Sequence, residues 1–372
     1  MKFAIITNIP HGIENGIFFS YSPYIKEMNI WNENVSQINI VAPLTLTTKS
    51  NIDSFYSNSG INFLEINALN FLNFESILKS ILSVPKIFLF IFKTINNSDH
   101  IHLRCPGNIG LLASIVQIFF PYKTKTAKYA GNWDPNAKNP ISYKLQKWIL
   151  SNTFLTRNMQ VLVYGEWQNQ SKNIKPFFTA SYKESEKTAI EIRNFQNQIR
   201  FLFVGMLTSG KNPKYAIQII EKLKLKHQNI TLDIYGEGVE RQSLEKYIAT
   251  NNLQDFVSLK GNQNLETLKS AYSKSHFMIL PSESEGWPKA VAEAMFWGCL
   301  PISNNVSCVG SMLDNGNRGV LLTKNLENDT LKISELIENE NLYQQKVTNA
   351  VNWSRKYTLD LFEQEIKLLL QQ

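Results

Sequence analysis

Residues Met278–Pro301, MILPSESEGWPKAVAEAMFWGCLP, leave few choices of fold. Phe277–Leu280 is a wholly apolar run of strand length, and Pro281 and Ser282 open a turn that leads to an acidic corner at Glu285-Gly286. A helix is expected from about Pro288 to Trp297, stopped by Gly298, with a second strand beginning at Leu300–Ser303. Proline in the first turn and glycine just past the end are what helix termini require. A helix that starts behind a parallel strand presents unpaired N–H groups suited to an anion, most often a phosphate. Glu285 and Glu293 stand at that helix, and ionised carboxylates accept hydrogen bonds from the hydroxyls of a ribose or another sugar. Spacing alone is equally compatible with two ordinary surface carboxylates on an amphipathic helix.

A chain of 372 residues is long for one core, so two domains are expected. Its 43% hydrophobic and 19% charged residues describe a folded chain rather than a disordered one. The net charge of +7 favours an anionic substrate or membrane surface over nucleic acid. Cys105, Cys299 and Cys308 have no ligand-like spacing, which argues against a disulfide framework or structural zinc and for a reducing compartment. The opening MKFAIITNIP lacks the apolar region and cleavage site of a signal peptide and reads as the first strand.

In the first half, strands are expected at Phe3–Thr7, Ile38–Val41, Asn62–Leu64, Asp99–Leu103, Thr126–Tyr129 and Gln160–Val163. Helices are expected at Tyr24–Asn32, Ile109–Phe120 and Lys144–Leu150, a strand–helix alternation that argues for an open α/β layer. His11–Gly16 reads as a loop with two glycines. Phe71–Ile95 has apolar residues at helical spacing interrupted by Lys79, Lys86 and Lys93, with Pro85 dividing or kinking it. Its uninterrupted apolar length falls short of a membrane span, which leaves a core-packed helix or a face that dips into a bilayer. Arg104, just past a strand end, and the loop Ala130–Pro135 after the next strand put polar groups where open α/β sheets bind ligands. Ser171–Lys187 is the expected linker.

A second α/β unit begins at Arg200. Phe201–Val204 runs into Gly205-Met206-Leu207-Thr208-Ser209-Gly210-Lys211 and a helix from about Pro213 to Lys224. A glycine-bearing turn with Lys211 ahead of a helix suggests phosphate binding, although Asn212 breaks the nucleoside-triphosphate loop pattern. Thr231–Tyr235 ends at Gly236-Glu237-Gly238, and Val257–Leu259 ends at Gly261-Asn262. Gly319–Leu322 is a further strand, Leu326–Asn349 supplies helices, and Trp353–Leu370 reads as one long amphipathic helix.

The chain resembles the GT-B glycosyltransferases, specifically the retaining group called family 4. The residues that carry the likeness are the Glu285–Glu293 pair within PSxxEGxPxxxxEAMxxGxxP, VGMLTSGK at Val204–Lys211 (one residue shorter than the usual VGxLxxxGK), YGEG at Tyr235–Gly238 and Gly261-Asn262. The resemblance implies two Rossmann-like doubly wound domains facing each other across a cleft: residues 1–190 binding the acceptor, 191–350 binding a nucleotide-sugar, and a final helix, 351–372, packing back on the first domain. It implies transfer of a hexose or related sugar, with retention, to a hydroxyl of a glycan or polyprenyl-diphosphate-linked saccharide in bacterial surface polysaccharide synthesis (capsule or O-antigen). Glu293 would bond the ribose, Glu285 would orient the transferred sugar, and Lys211 would neutralise the diphosphate. Gly286, Trp287 and Pro288 form the helix mouth, and Gly205, Met206, Gly236, Gly261 and Asn262 complete the donor site, with Gly16 and Arg104 approaching from the first domain. No cofactor and no metal are implied. The implied location is cytoplasmic, with peripheral attachment to the inner face of an anionic plasma membrane left open, and nucleic acid is not an expected partner.

Two positions depart from the family pattern. Met206 stands where an arginine is common, and the loop after the fifth strand of the first domain carries Asn132 and Asp134 where a histidine often touches the sugar. Arg104 or another basic residue would have to supply the first, and Asn132 or Asp134 part of the second. His102 matches a histidine often found at the end of the preceding strand, where a structural hydrogen bond explains it equally well. A nucleotide-sugar epimerase and a non-catalytic nucleotide-sugar-binding protein remain as alternatives.

Overall fold

Apolar runs followed by amphipathic helices do build parallel sheets in this chain, and they build two of them. The structure, a computed structural model, describes residues 1–371 except Ser59, Phe71, Leu72 and Ile192. The chain divides into two compact units, Met1–Phe178 with Leu361–Gln372, and Thr179–Asp360. The division falls ahead of the expected boundary at residue 190.

The first unit contains β1 (Lys2–Ile6), β2 (Gly12–Glu14), β3 (Ile17–Tyr21), α1 (Ser22–Asn32), β4 (Gln37–Pro43), β5 (Asp53–Phe55), β6 (Ile61–Ile66), α2 (Phe74–Asn96), β7 (His100–Cys105), α3 (Asn108–Val116), β8 (Thr124–Tyr129), α4 (Ile141–Ser151), β9 (Met159–Tyr164) and β10 (Ile174–Phe177). Its main sheet has the order β10-β9-β8-β7-β1-β4-β6 with every neighbour parallel. The central strands are buried on both faces, as near-continuous apolar runs demand. Ile87, Ile91 and Ile95 of α2 pack with Ile6, Ile101 and Leu103 of the sheet.

Three expectations change here. His11–Gly16 is not an open loop, because β2 and β3 form a hairpin turned by Asn15 and Gly16, both at positive φ. Asn-Gly is the pair that a two-residue hairpin turn selects. The expected linker Ser171–Lys187 contains β10, where Pro176 is tolerated because β10 is the edge strand. Pro85 neither ends nor divides α2, which runs through it; the first two residues of the expected Phe71–Ile95 stretch lie outside the described residues. No helix among the described residues is long and apolar enough to cross a membrane.

The second unit contains β11 (Ile199–Val204), α5 (Pro213–Lys224), β12 (Ile230–Tyr235), α6 (Arg241–Thr250), β13 (Val257–Gly261), α7 (Leu265–Lys274), β14 (Phe277–Leu280), α8 (Lys289–Phe296), β15 (Leu300–Asn304), α9 (Val309–Met312), β16 (Val320–Leu322), α10 (Leu326–Glu338) and α11 (Glu340–Ser354). Its sheet order is β13-β12-β11-β14-β15-β16, again parallel throughout. Asparagine side chains cap three of its helices: Asn264 on α7, Asn325 on α10 and Asn339 on α11. The expected helix Trp353–Leu370 is two helices. Turn hydrogen bonds from Lys356 and Tyr357 to the Trp353 and Ser354 carbonyls close α11, and α12 (Leu359–Leu370) starts anew across the unit boundary.

Candidate active site

In the second sheet β11 leads outward through β12 to β13, and β14 leads the other way through β15 to β16. The strand order therefore reverses between β11 and β14, and open α/β sheets bind ligands at the carboxyl ends of the strands at such a point. Two loops meet there, Gly205–Asn212 after β11 and Pro281–Pro288 after β14. The Glu283 amide donates to the Gly210 carbonyl at 2.9 Å.

Backbone packs on backbone along this edge. The Gly205 amide donates to the Tyr235 carbonyl at 3.0 Å, Leu207 to Glu237 at 2.9 Å, and Gly236 to Gly261 at 2.9 Å. A Cβ on Gly236, whose φ is 141°, would lie 1.9 Å from the Gly205 carbonyl oxygen, and one on Gly238 would lie 2.3 Å from that of Leu207. These glycines are needed because no side chain fits between the loops.

On this floor the structure brings Lys211 and Glu285 together, Nζ to Oε1 at 2.5 Å. Glu285 is only 7% exposed, and a carboxylate so withdrawn from water needs a partner. Lys211 is partly open to solvent and supplies it. Glu283 pairs with Lys324 at 2.5 Å on the same loop. Pro288 offers no side-chain cap to the first turn of α8, where its carbonyl accepts from the Val291 and Ala292 amides at 3.0 and 3.2 Å. A cation, a buried carboxylate and a helix N-terminus together can hold an anionic group and the hydroxyls beside it.

Glu293, on α8, has both oxygens engaged. The Ser181 hydroxyl donates to Oε1 at 2.5 Å and the Tyr272 phenol to Oε2 at 3.2 Å. Burial, and then the charge of Glu293, push the Tyr272 phenol well above its usual pKa, so it stays a donor. Sequence reasoning missed both partners. They are 112 and 21 residues from Glu293, and no local pattern marks them.

Other expected residues have different surroundings. Gly286 turns its carbonyl to the Cys308 thiol at 3.0 Å, and Pro288 is buried. Trp287 stacks on Trp353 at 6.1 Å and meets Tyr357 edge-on at 5.7 Å, so its ring serves the packing of α11. Met206 is 63% exposed at the rim, and Asn262 is exposed as well.

The remaining expected residues belong to the first unit. Arg104 does not present its guanidinium to solvent: it is buried and paired with Glu27 at 2.8 Å, over the Tyr24 ring. That pair is formed within the first unit. Asn132 accepts from the Asp134 amide at 2.9 Å and Asp134 from the Asn136 amide at 2.8 Å, so both side chains brace successive turns of their loop. Gly16 sits in the hairpin turn. His102 bonds Thr126 at 2.9 Å, deep in the sheet. The first sheet also reverses order, between β1 and β7. His11 lies beside the end of β4, its amide donating to the Pro43 carbonyl at 2.9 Å, and its ring is held by the Ile9 carbonyl and the Tyr56 hydroxyl, each at 2.9 Å. Burial lowers its pKa to about 4, so the ring is neutral. Among the described residues no group of histidine, cysteine, aspartate and glutamate could hold a metal ion.

Residues 184–353 match the family model of glycosyl transferases group 1. That segment lies within the second unit and contains Lys211, Glu285 and Glu293. An uncharacterised glycosyltransferase of Methanocaldococcus jannaschii is 29% identical over 158 residues, 42% of this chain and 43% of that protein. The Campylobacter jejuni protein named GalNAc-alpha-(1->4)-GalNAc-alpha-(1->3)-diNAcBac-PP-undecaprenol alpha-1,4-N-acetyl-D-galactosaminyltransferase is 26% identical over 181 residues, 47% of this chain and 49% of that one. The chain thus matches about half the length of these curated relatives or less. The crystal structure of Anabaena HepE in complex with UDP and glucose aligns with all of this chain and 99% of its own, at 13% identity and a TM-score of 0.71. The fold is that of the GT-B glycosyltransferases, two Rossmann-like domains in one chain.

Proposed function

We propose that this chain is a retaining glycosyltransferase of family 4 that moves a hexose or related sugar from a nucleotide-sugar to a hydroxyl of a glycan or lipid-linked acceptor, in the synthesis of a surface polysaccharide. The observation that carries the reading is the Lys211–Glu285 pair at the strand-order reversal of the group 1 segment. Support for the donor comes from the Anabaena protein, whose structure holds UDP and glucose. Support for a lipid-linked acceptor comes from the undecaprenol-linked saccharide in the name of the Campylobacter relative.

In this reading the donor diphosphate lies at the mouth of α8 with Lys211 beside it. The bond between the anomeric carbon and the phosphate oxygen breaks, and its electron pair stays on the phosphate. Lys211 stabilises the charge that grows there. The acceptor oxygen bonds to the anomeric carbon on the same face, and its proton passes to the departing phosphate. Glu285 orients the sugar hydroxyls and Glu293 the ribose. No metal is assigned to any step.

A thermal-shift panel of nucleotide-sugars tests the donor site, because a ligand that binds only the folded state raises its apparent stability. The expected result is a shift with one nucleotide-sugar, lost in Lys211→Ala and Glu293→Ala, followed by transfer to an added acceptor. A change of the sugar without any acceptor would instead mark an epimerase, and tight binding without transfer to any acceptor a binding protein.

A further inference from the structure

The helix α2 carries a second apolar face that the first unit does not use. Ile87, Ile91 and Ile95 pack inward, yet Phe74, Leu78, Ile81, Leu82, Leu89 and Phe92 are exposed. At about 100° per residue these six fall within an arc of roughly 100°, so they form one stripe turned away from the buried face. Phe74 is 83% exposed and Leu82 72%. The stripe continues beyond the helix end. Phe92 meets Phe119 with ring centres 6.5 Å apart, and Phe119 and Tyr122, the latter 89% exposed, extend it. Exposed apolar residues scattered singly need no explanation, but a contiguous stripe marks an interaction surface.

Charge names the partner. Lys79, Lys86 and Lys93 follow one edge of the stripe, and Lys123 lies past its end. Lys79 pairs with Glu75 at 2.6 Å, whereas among the described residues no carboxylate pairs with Lys86 or Lys93. Lys86 reaches over the Phe90 ring at 5.5 Å, its stem along the apolar surface and its charge at the border. An apolar helix face edged by lysines and ending in tyrosine suits the boundary between acyl chains and anionic headgroups. A purely apolar protein surface would bury the stripe and leave the lysine row unanswered.

We propose that this face of α2, with Phe119 and Tyr122, lies on an anionic phospholipid bilayer, the apolar stripe entering the acyl boundary and Lys86 and Lys93 meeting lipid phosphates. The proposal stands apart from the transferase reading, since it rests on the exposed face of α2 and not on the Lys211–Glu285 site.

The test is co-sedimentation of the full chain with phosphatidylcholine vesicles, with and without phosphatidylglycerol, for wild type, the pair Phe74→Ser with Leu82→Glu, and the pair Lys86→Glu with Lys93→Glu. All four positions are at the surface, and equal melting temperatures confirm an intact fold. The expected result is wild-type binding to the anionic vesicles, weakened on the order of tenfold or more by either pair. The charge-reversed pair should also lose the preference for phosphatidylglycerol. No wild-type binding, or binding unaffected by the loss of the apolar residues, overturns the proposal. So does a wild-type dimer that the Phe74 and Leu82 changes convert to monomer, which would make a second copy the occupant. Donor binding, measured on the same variants without vesicles, should not change, so failure of the membrane proposal and failure of the transferase reading are separate outcomes.

Discussion

The Ser181 hydroxyl donates to Oε1 of Glu293 at 2.5 Å. It joins the segment that leaves the first unit to the carboxylate assigned to the ribose, and it leaves that oxygen a further lone pair for a ligand. Ser181 is therefore a positioning residue for Glu293. Ser181→Ala should raise the donor KM several-fold, on the scale of one hydrogen bond to a charged group, with kcat within about twofold. Steady-state kinetics at saturating acceptor check this. Tighter donor binding would mean that Ser181 blocks the site instead.

The Lys211–Glu285 pair supports both stability and chemistry, and the two can be separated. Lys211→Ala strands a carboxylate that is 7% exposed, so it should lower the melting temperature as well as kcat. The loss of kcat should be about 100-fold or more, as for other groups that stabilise developing charge. Adding Glu285→Gln to Lys211→Ala should restore most of the stability and none of the turnover. A double-mutant cycle in both quantities reads the coupling.

Arg193 binds two helix ends at once. Its guanidinium donates to the Ser273 carbonyl at the end of α7 and to the Trp297 and Gly298 carbonyls at the end of α8. Cations at helix C-termini satisfy orphan carbonyls and oppose the helix dipole. Arg193→Ala should cost about 2–4 kcal/mol in denaturant unfolding, and Arg193→Lys should recover only part of it, because one ammonium cannot span both ends.

Acid should destabilise the fold through buried histidines. Burial lowers His11, His100 and His276 each from the usual 6.5 to about 4. The unfolded chain takes up protons below about pH 6.5 while the folded chain does not, so stability is full above that pH and falls between 6.5 and 4. Melting temperatures across this range check the slope, and substituting Asn for His276 should flatten it.

The strands and helices that set out the site were legible because buried parallel strands are short apolar runs and amphipathic helices follow them. Phe277–Leu280, expected as a strand, is β14 to the residue, and Gly298 does end α8. The first unit was harder. β2, β3 and β5 are short and half polar, although Asn15-Gly16 announced the hairpin. The turn after Ser354 has neither glycine nor proline, so the periodicity ran on through it. Asn132 and Asp134 are polar loop residues in sequence, and only coordinates reveal that their oxygens are occupied by their own backbone. Arg104, expected just past a strand end, lies inside β7, and Glu27, 77 residues away, claims it.

The glycine contacts around Gly205, Gly236 and Gly261 have a consequence for how specificity can change. Three strand ends are hydrogen-bonded to one another with no space for a methyl group between Gly236 and Gly205. They form a single rigid receptacle, and a substitution in it distorts the whole rather than adjusting a part. Variation is open only at the rim, where Met206 and Asn262 project from that base without supporting it. A library confined to those two positions should alter the preferred donor while leaving the melting temperature nearly constant, whereas one spread over Gly236 and Gly238 should yield mostly unfolded protein.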